Sequence, residues 1–303
     1  EATKTLLDIA IQRGNSLGDD WKQVVICVST LDKLQMQNNN HSLDQPHLRN
    51  SNESRRESRF DLVNKTNSYL VEAIAIASSQ NMTILVDRIF AASEKLSGTA
   101  VVDFVKALCE ISLEEINSSS DLGHPRMYCL QRLVEISYYN MNRIKIEWSN
   151  IWFILGNHFN EVGCHSNSNV GMFALDKLHQ LSLKFLEMDE LPSFKFQKDF
   201  LRPFEHVLLN SKDKDLHDLV LICLKQIILS KGKSLRSGWK TIFSAISKVS
   251  QNSYEHVVLL ALNIAKTVSK DSLEYVIKYN VVSDYISCLV NFSRNRHFTR
   301  VAL

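Results

Sequence analysis

Glycine and proline are scarce, 9 and 4 among 303 residues, about a third of average usage. Sheet-rich folds need frequent tight turns, so sandwiches and barrels are excluded and helices are expected. Cysteine is sparse and dispersed: of Cys27, Cys109, Cys129, Cys164, Cys223 and Cys288, no two lie closer than 20 residues. That spacing fits neither a zinc module nor a disulfide framework. Isolated thiols inside apolar patterns behave as small hydrophobes and suit a reducing compartment. An excess of charge is also missing: 35 Lys and Arg stand against 33 Asp and Glu, a formal +2 at pH 7. Bulk electrostatics therefore gives no drive toward nucleic acid. No apolar run approaches the ~18–20 residues that span a bilayer, and the N-terminus has no basic-then-apolar signal pattern. A cytoplasmic protein is expected, and the opening on Glu1 without methionine reads as a segment of something longer.

What is present is enough for a large core. Apolar residues make up 45% and charged residues 22%, a balance that excludes a chain disordered throughout. A first helical hairpin is expected over residues 1–36. Arg13-Gly14-Asn15-Ser16-Leu17-Gly18 breaks it, Asp19 and Asp20 cap its second helix, and Trp21, Val24, Val25, Val28, Leu31 and Leu34 line one face. Residues 37–59, rich in Asn, Ser and Arg, read as a flexible insertion. From 60 to 303 helical periodicity resumes and continues. Its joints fall near Gln80, Gly98, 118–125, 163–169, Leu191-Pro192, 210–213, Gly232 and Asn252.

An internal echo gives the architecture. Trp148 and Trp152, Phe200 and Phe204, and Trp239 and Phe243 are aromatic pairs four apart, and the pairs begin 52 and 39 residues from one another. Residues four apart share a helix face, and repeat lengths of roughly 40–47 residues belong to HEAT and armadillo arrays. The expected fold is all-α, an α-solenoid of irregular HEAT/armadillo-like repeats, with Pro203 kinking its helix.

Candidate chemistry is thin. His158, Cys164 and His165 straddle a helix end without paired ligand spacing, so no metal is expected. Glu205-His206 and Glu255-His256 sit in apolar helix patterns and read as helix surface. The sequence holds no phosphate-binding glycine loop, dinucleotide fingerprint or serine elbow, so no cofactor and no catalytic residue are expected. In the run from Phe194 to Phe204, aromatic and basic residues alternate as on a base-stacking surface. Phe196, Phe200 and Phe204 nevertheless share one face, which favours a core face with Lys195, Lys198 and Arg202 in solvent or paired with Asp199. The sharpest anomaly is charge. From Leu219 to Tyr254 there are six basic residues and no acidic one. Lys231, Lys233, Arg236 and Lys240 cluster at one joint, as a partner- or membrane-binding edge would, each contributing about 1 kcal/mol near anionic lipid. A solvated joint with counter-charge from a neighbouring repeat is the equal alternative.

Five strings carry a family resemblance: Leu17-Gly18-Asp19-Asp20-Trp21-Lys22-Gln23-Val24, His124-Pro125-Arg126-Met127, the stretch from Val134 to Met141, that from Phe194 to Glu205, and Arg236-Ser237-Gly238-Trp239-Lys240. Together they resemble the large Golgi Arf guanine-nucleotide exchange factors, in the region just downstream of the catalytic Sec-seven domain. The resemblance covers nearly the whole chain except 37–59. It implies a non-catalytic regulatory region of a longer exchange factor, on the trans-Golgi membrane surface. The implied partners are GTP-bound Arf, anionic membrane and other regions of the same chain, and not nucleic acid. The family's catalytic glutamate finger has no counterpart in this sequence. A passive structural spacer is the competing reading.

Overall fold

The computed structural model describes residues 1–41, 71–118, 125–191, 193–298 and 301. Among them every regular element is a helix. The chain divides into two compact units, Glu1–Ile111 and Ser112–Leu303.

The first unit begins with α1 (Ala2–Arg13), followed by two 3-10 turns, Gly14–Ser16 and Gly18–Asp20. Asp19 and Asp20 form the second turn, which runs straight into α2 (Trp21–His41). That helix extends five residues into the expected insertion; residues 42–59 lie outside the described residues. Helical residues 71–77 (α3), α4 (Gln80–Ala92), a 3-10 turn and the first part of α5 (Gly98–Ser118) follow. The break after α1 is steric in origin. A Cβ on Gly14 would lie 2.7 Å from Leu96 Cδ2 and 2.9 Å from the Trp21 ring, while Trp21 Nε1 donates to Gly14 O at 3.1 Å. Trp21 stacks on Phe104 at 4.1 Å between ring centroids, and Val24, Val25, Val28 and Leu31 are buried below it. Of the face expected from periodicity only Leu34 is half-exposed.

The second unit contains α6 (Tyr128–Asn140), α7 (Lys145–Gly163), α8 (Ser168–Phe185), α9 (Gln197–Phe200), α10 (Arg202–Asn210), α11 (Lys214–Lys231), α12 (Gly238–Val249), α13 (Glu255–Asp271), α14 (Leu273–Lys278) and α15 (Val282–Ser293). Helices α7, α10, α12 and α15 pack in succession, as do α8, α11 and α13. Contacts of α7 with α8, α10 with α11 and α12 with α13 join the two rows. The three aromatic pairs fall on α7, on α9 with α10, and on α12, in the first row or, for Phe200, on the short helix packed against it, and all six rings are buried. They interlock: Trp152 stacks on Phe200 at 4.0 Å, Phe200 on Phe185 at 4.1 Å, and Phe243 meets Tyr285 at 5.2 Å. Such rings contribute about 0.5–1.5 kcal/mol per pair beyond the area they bury.

Pro203 breaks its helix instead of kinking it. Helix α9 ends at Phe200 and α10 starts at Arg202 with proline in its first turn, where the missing N–H costs no helical hydrogen bond. The joints at 141–144 and 279–281, which the sequence did not lead one to expect, contain neither glycine nor proline. At 141–144, Arg143 Nε donates to Asn140 Oδ1 at 2.6 Å while Asn140 Nδ2 holds Ile136 O at 2.8 Å. At 279–281 the turn is made by Asn280 at φ 56°, a left-handed conformation that asparagine tolerates better than most residues.

Candidate functional site

Among the described residues of the second unit, charge, a concavity and a buried polar network coincide at one end of α12. This region forms where the segment after α8 (186–196) meets the segment between α11 and α12 (232–237). Glu190 is 9% exposed, and its carboxylate joins the two. Oε1 accepts from Gln197 N at 2.8 Å and from Ser237 Oγ at 2.5 Å, and Oε2 accepts from Ser237 N at 2.9 Å. Gln197, 1% exposed, completes the join: Oε1 accepts from Arg236 N at 2.8 Å and Nε2 donates to Ser234 O at 3.0 Å. The first amides of α12, which no helical carbonyl can reach, are thus satisfied from within the chain. Gly238 permits this approach, since a Cβ there would meet Leu201 Cδ1 at 3.0 Å and Gln197 Oε1 at 3.3 Å.

Outside this knot lies a concavity of about 510 Å³, lined by the basic residues Lys195, Lys198, Arg236 and Lys240 together with Leu191, Tyr279 and Val281, and reached at its inner wall by Glu190 and Ser237, whose polar groups are engaged with each other. Arg236 is held in place: NH1 donates to Glu190 O at 2.6 Å, NH2 pairs with Asp189 at 3.1 Å, and the guanidinium lies 5.8 Å from the Tyr279 ring centroid. Lys240 lies 3.9 Å from Asp284. Lys195 and Lys198 are exposed and make no ion pair among the described residues. A larger hollow of about 680 Å³ in the first unit is walled by Leu31, Leu34, Ile76 and Leu85 with Glu1, Lys4 and Arg88, charges of both signs.

The four basic residues singled out from the sequence divide here. Arg236 and Lys240 line the concavity. Lys231 does not: it pairs with Glu187 at 3.1 Å, and hydrogen bonds from Lys184 first and Lys231 second hold the Glu187 carboxyl below its ordinary range. Lys233 is exposed and also lies outside the lining. Sequence reasoning left out Lys195 and Lys198, which it assigned to a solvated face, and Tyr279. The available signal was the 39-residue echo: Lys198 N donates to Ser237 Oγ across that same separation.

The remaining candidates have structural partners. Buried His158 shares a 3.1 Å hydrogen bond with Ser112 Oγ, and desolvation pushes its pKa down to about 4. His165 Nδ1 accepts from Asn167 N at 3.1 Å. Cys164 is half-buried, and burial raises its thiol pKa, opposite to what a ligand or nucleophile needs. Glu205 binds Lys248 and Ser244 on α12, and His256 lies 3.2 Å from Asp218. Phe196, Phe200 and Phe204 are buried and Arg202 pairs with Asp199 at 3.3 Å, as the periodicity predicts.

Residues 184–267 match the family model described as Mon2/Sec7/BIG1-like, HDS, a stretch that contains Glu190, Gln197 and the four basic residues of the concavity. Over 97% of its length the chain is 38% identical to the ADP-ribosylation factor guanine nucleotide-exchange factor sec71 of Schizosaccharomyces pombe. It is 38% identical over 98% of its length to the brefeldin A-inhibited guanine nucleotide-exchange protein 1 of Homo sapiens. It is 35% identical over 98% to the ADP-ribosylation factor guanine nucleotide-exchange factor SEC7 of Saccharomyces cerevisiae. The chain spans only 16–17% of the length of these relatives. It carries a Sec7-like HDS region and is homologous, along nearly its whole length, to a small part of the Sec7/BIG1 family of Arf guanine-nucleotide exchange factors.

Proposed function

We propose that this chain is a non-catalytic regulatory region of an Arf exchange factor, one that responds to GTP-bound Arf on an anionic membrane and thereby controls recruitment and activity of the exchange domain. The observation that carries this reading is the coincidence of the basic concavity with the segment that matches the family model. The relatives are named as exchange factors, and the family resemblance supplies the trans-Golgi surface as the place of action. The succession of helices within the second unit supports an α-solenoid of HEAT/armadillo type in that unit.

The test is co-sedimentation of the chain with anionic liposomes bearing membrane-anchored Arf in its GTP or GDP form. Sedimentation that requires the GTP form, and that falls when Lys231, Lys233, Arg236 and Lys240 are changed to Glu in a protein of unchanged helical content, is the expected result. Equal recovery with both forms, or none with either, overturns it. One observation favours a passive spacer: Lys231, Arg236 and Lys240 each have a carboxylate within 4 Å. That reading predicts no recovery on any liposome.

A further inference from the structure

We propose that the concavity bounded by Lys195, Lys198, Arg236 and Lys240 is a pocket for a small ligand bearing several phosphate groups, of the inositol phosphate class. The proposal deepens the membrane reading, and rests on it only in so far as the ligand is a lipid headgroup.

The argument begins with what is already satisfied. A single phosphate is commonly held by free amides at a helix N-terminus, but at α12 those amides are taken. Arg236 N and Gly238 N are bound by Gln197 Oε1, Ser237 N by Glu190, and Trp239 N and Lys240 N by the carbonyls of Arg236 and Ser237. Any anion here must be bound by side chains. Lys195 and Lys198 have no carboxylate partner among the described residues, and Asp284 stands at the limit of ion-pair distance from Lys240. Three ammonium groups around one hollow repel one another and draw in counter-charge, and three suit several phosphates better than one. Arg236 is fixed by Glu190 O and Asp189 and contributes a charge that does not move.

Size and lining narrow the class. About 510 Å³ lies within the range of small-molecule sites and would accommodate a ring with several substituents. The Arg236 guanidinium already lies 5.8 Å from the Tyr279 ring centroid, so the aromatic group in the lining is engaged by a cation and, beyond Glu190 and Ser237, the remaining polar groups are the lysines. Leu191, 49% exposed, stands at the rim, an apolar group at the edge of a basic hollow, as a lipid-bound headgroup would need.

The experiment uses the whole chain and two probes. Soluble inositol trisphosphate is titrated by calorimetry, and vesicles containing phosphatidylinositol bisphosphate are compared with phosphatidylserine vesicles of equal surface charge. The triple variant Lys195→Gln, Lys198→Gln, Lys240→Gln should weaken inositol trisphosphate binding by about tenfold or more. The double variant Lys231→Gln, Lys233→Gln, outside the pocket, should leave it within about twofold. All five changes are at solvent-accessible side chains, and thermal unfolding checks that each protein is folded. Preference for the phosphoinositide vesicles identifies a lipid source. Inositol trisphosphate binding without vesicle preference supports the pocket with a soluble ligand. No binding to either probe, equal weakening by the two variants, or tighter competition by a doubly phosphorylated peptide overturns the proposal. The calorimetric arm needs neither membrane nor GTPase, so its failure leaves the Arf reading standing, and failure of Arf-dependent sedimentation leaves this one standing.

Discussion

Two joints in this molecule solve the same problem by opposite means. Between α1 and α2 the chain turns around Gly14, and the turn is closed by apolar matter: Leu96 and the Trp21 ring fill the space where a side chain would be, and Phe104 stacks behind. Between α11 and α12 the turn is closed by a carboxylate and a carboxamide, Glu190 and Gln197, reaching across from the segment after α8. The first joint is stabilised by shape and burial and depends little on solvent ions. The second is stabilised by hydrogen bonds that are strong only while every partner is present. Charged side chains gather around the second, where a ligand of opposite charge has something to meet.

That contrast can be broken at its apolar end first. Trp21→Ala removes a ring that is 1% exposed and should cost ~3–5 kcal/mol, read as the change in urea unfolding free energy. A loss below ~1 kcal/mol would mean that the joint is not held by packing. At the polar end, Glu190→Ala leaves Gln197 N and Ser237 N without their acceptor and should cost ~2–3 kcal/mol. Glu190→Gln keeps one carbonyl oxygen and should cost less. If the two variants proved equal in unfolding experiments, the carboxylate would not be the group that joins the two segments.

Acid sharpens the comparison within the interior of the second unit. His158 is buried neutral, with its pKa lowered from 6.5 to about 4 by desolvation. Between those values the unfolded chain binds more protons than the folded one, so stability falls as pH drops from about 6.5 to about 4 and levels off below. His158→Gln should remove up to ~2–3 kcal/mol of that dependence. The check is the difference between the unfolding free energies of the two proteins across that pH range; a constant difference would show that His158 does not titrate as its burial requires.

Much of the fold was legible in the chain because helical periodicity is a local property. The apolar face from Trp21 to Leu31, the three aromatic pairs and the inward turn of Phe196, Phe200 and Phe204 follow from spacing alone, and the structure buries them. Where the reading went astray, the deciding term was also local but ambiguous. Pro203 is compatible with a kink or with the first turn of a new helix, and the second leaves no helical N–H unmatched. The joints at 141–144 and 279–281 rely on asparagine, a weaker signal than glycine or proline.

The candidate site was legible only in part. The charge run from Leu219 to Tyr254 falls at the joint beside the concavity, and two of the four residues singled out from it, Arg236 and Lys240, line that hollow. Lys231 fell away because Glu187, 44 residues earlier, reaches it. Lys195 and Lys198 were assigned to solvent, where they are, but which other charges share that solvent-facing surface could not be read from their own helix. The sequence by itself determined helices, their buried faces and a basic joint, because each of these is set within a few turns of chain. Only the tertiary structure decided that Glu190 and Gln197 would hold the amides leading into α12 and that Lys195 and Lys198 would share one hollow with Arg236 and Lys240, because those contacts link residues about 40 apart and depend on how whole helices pack.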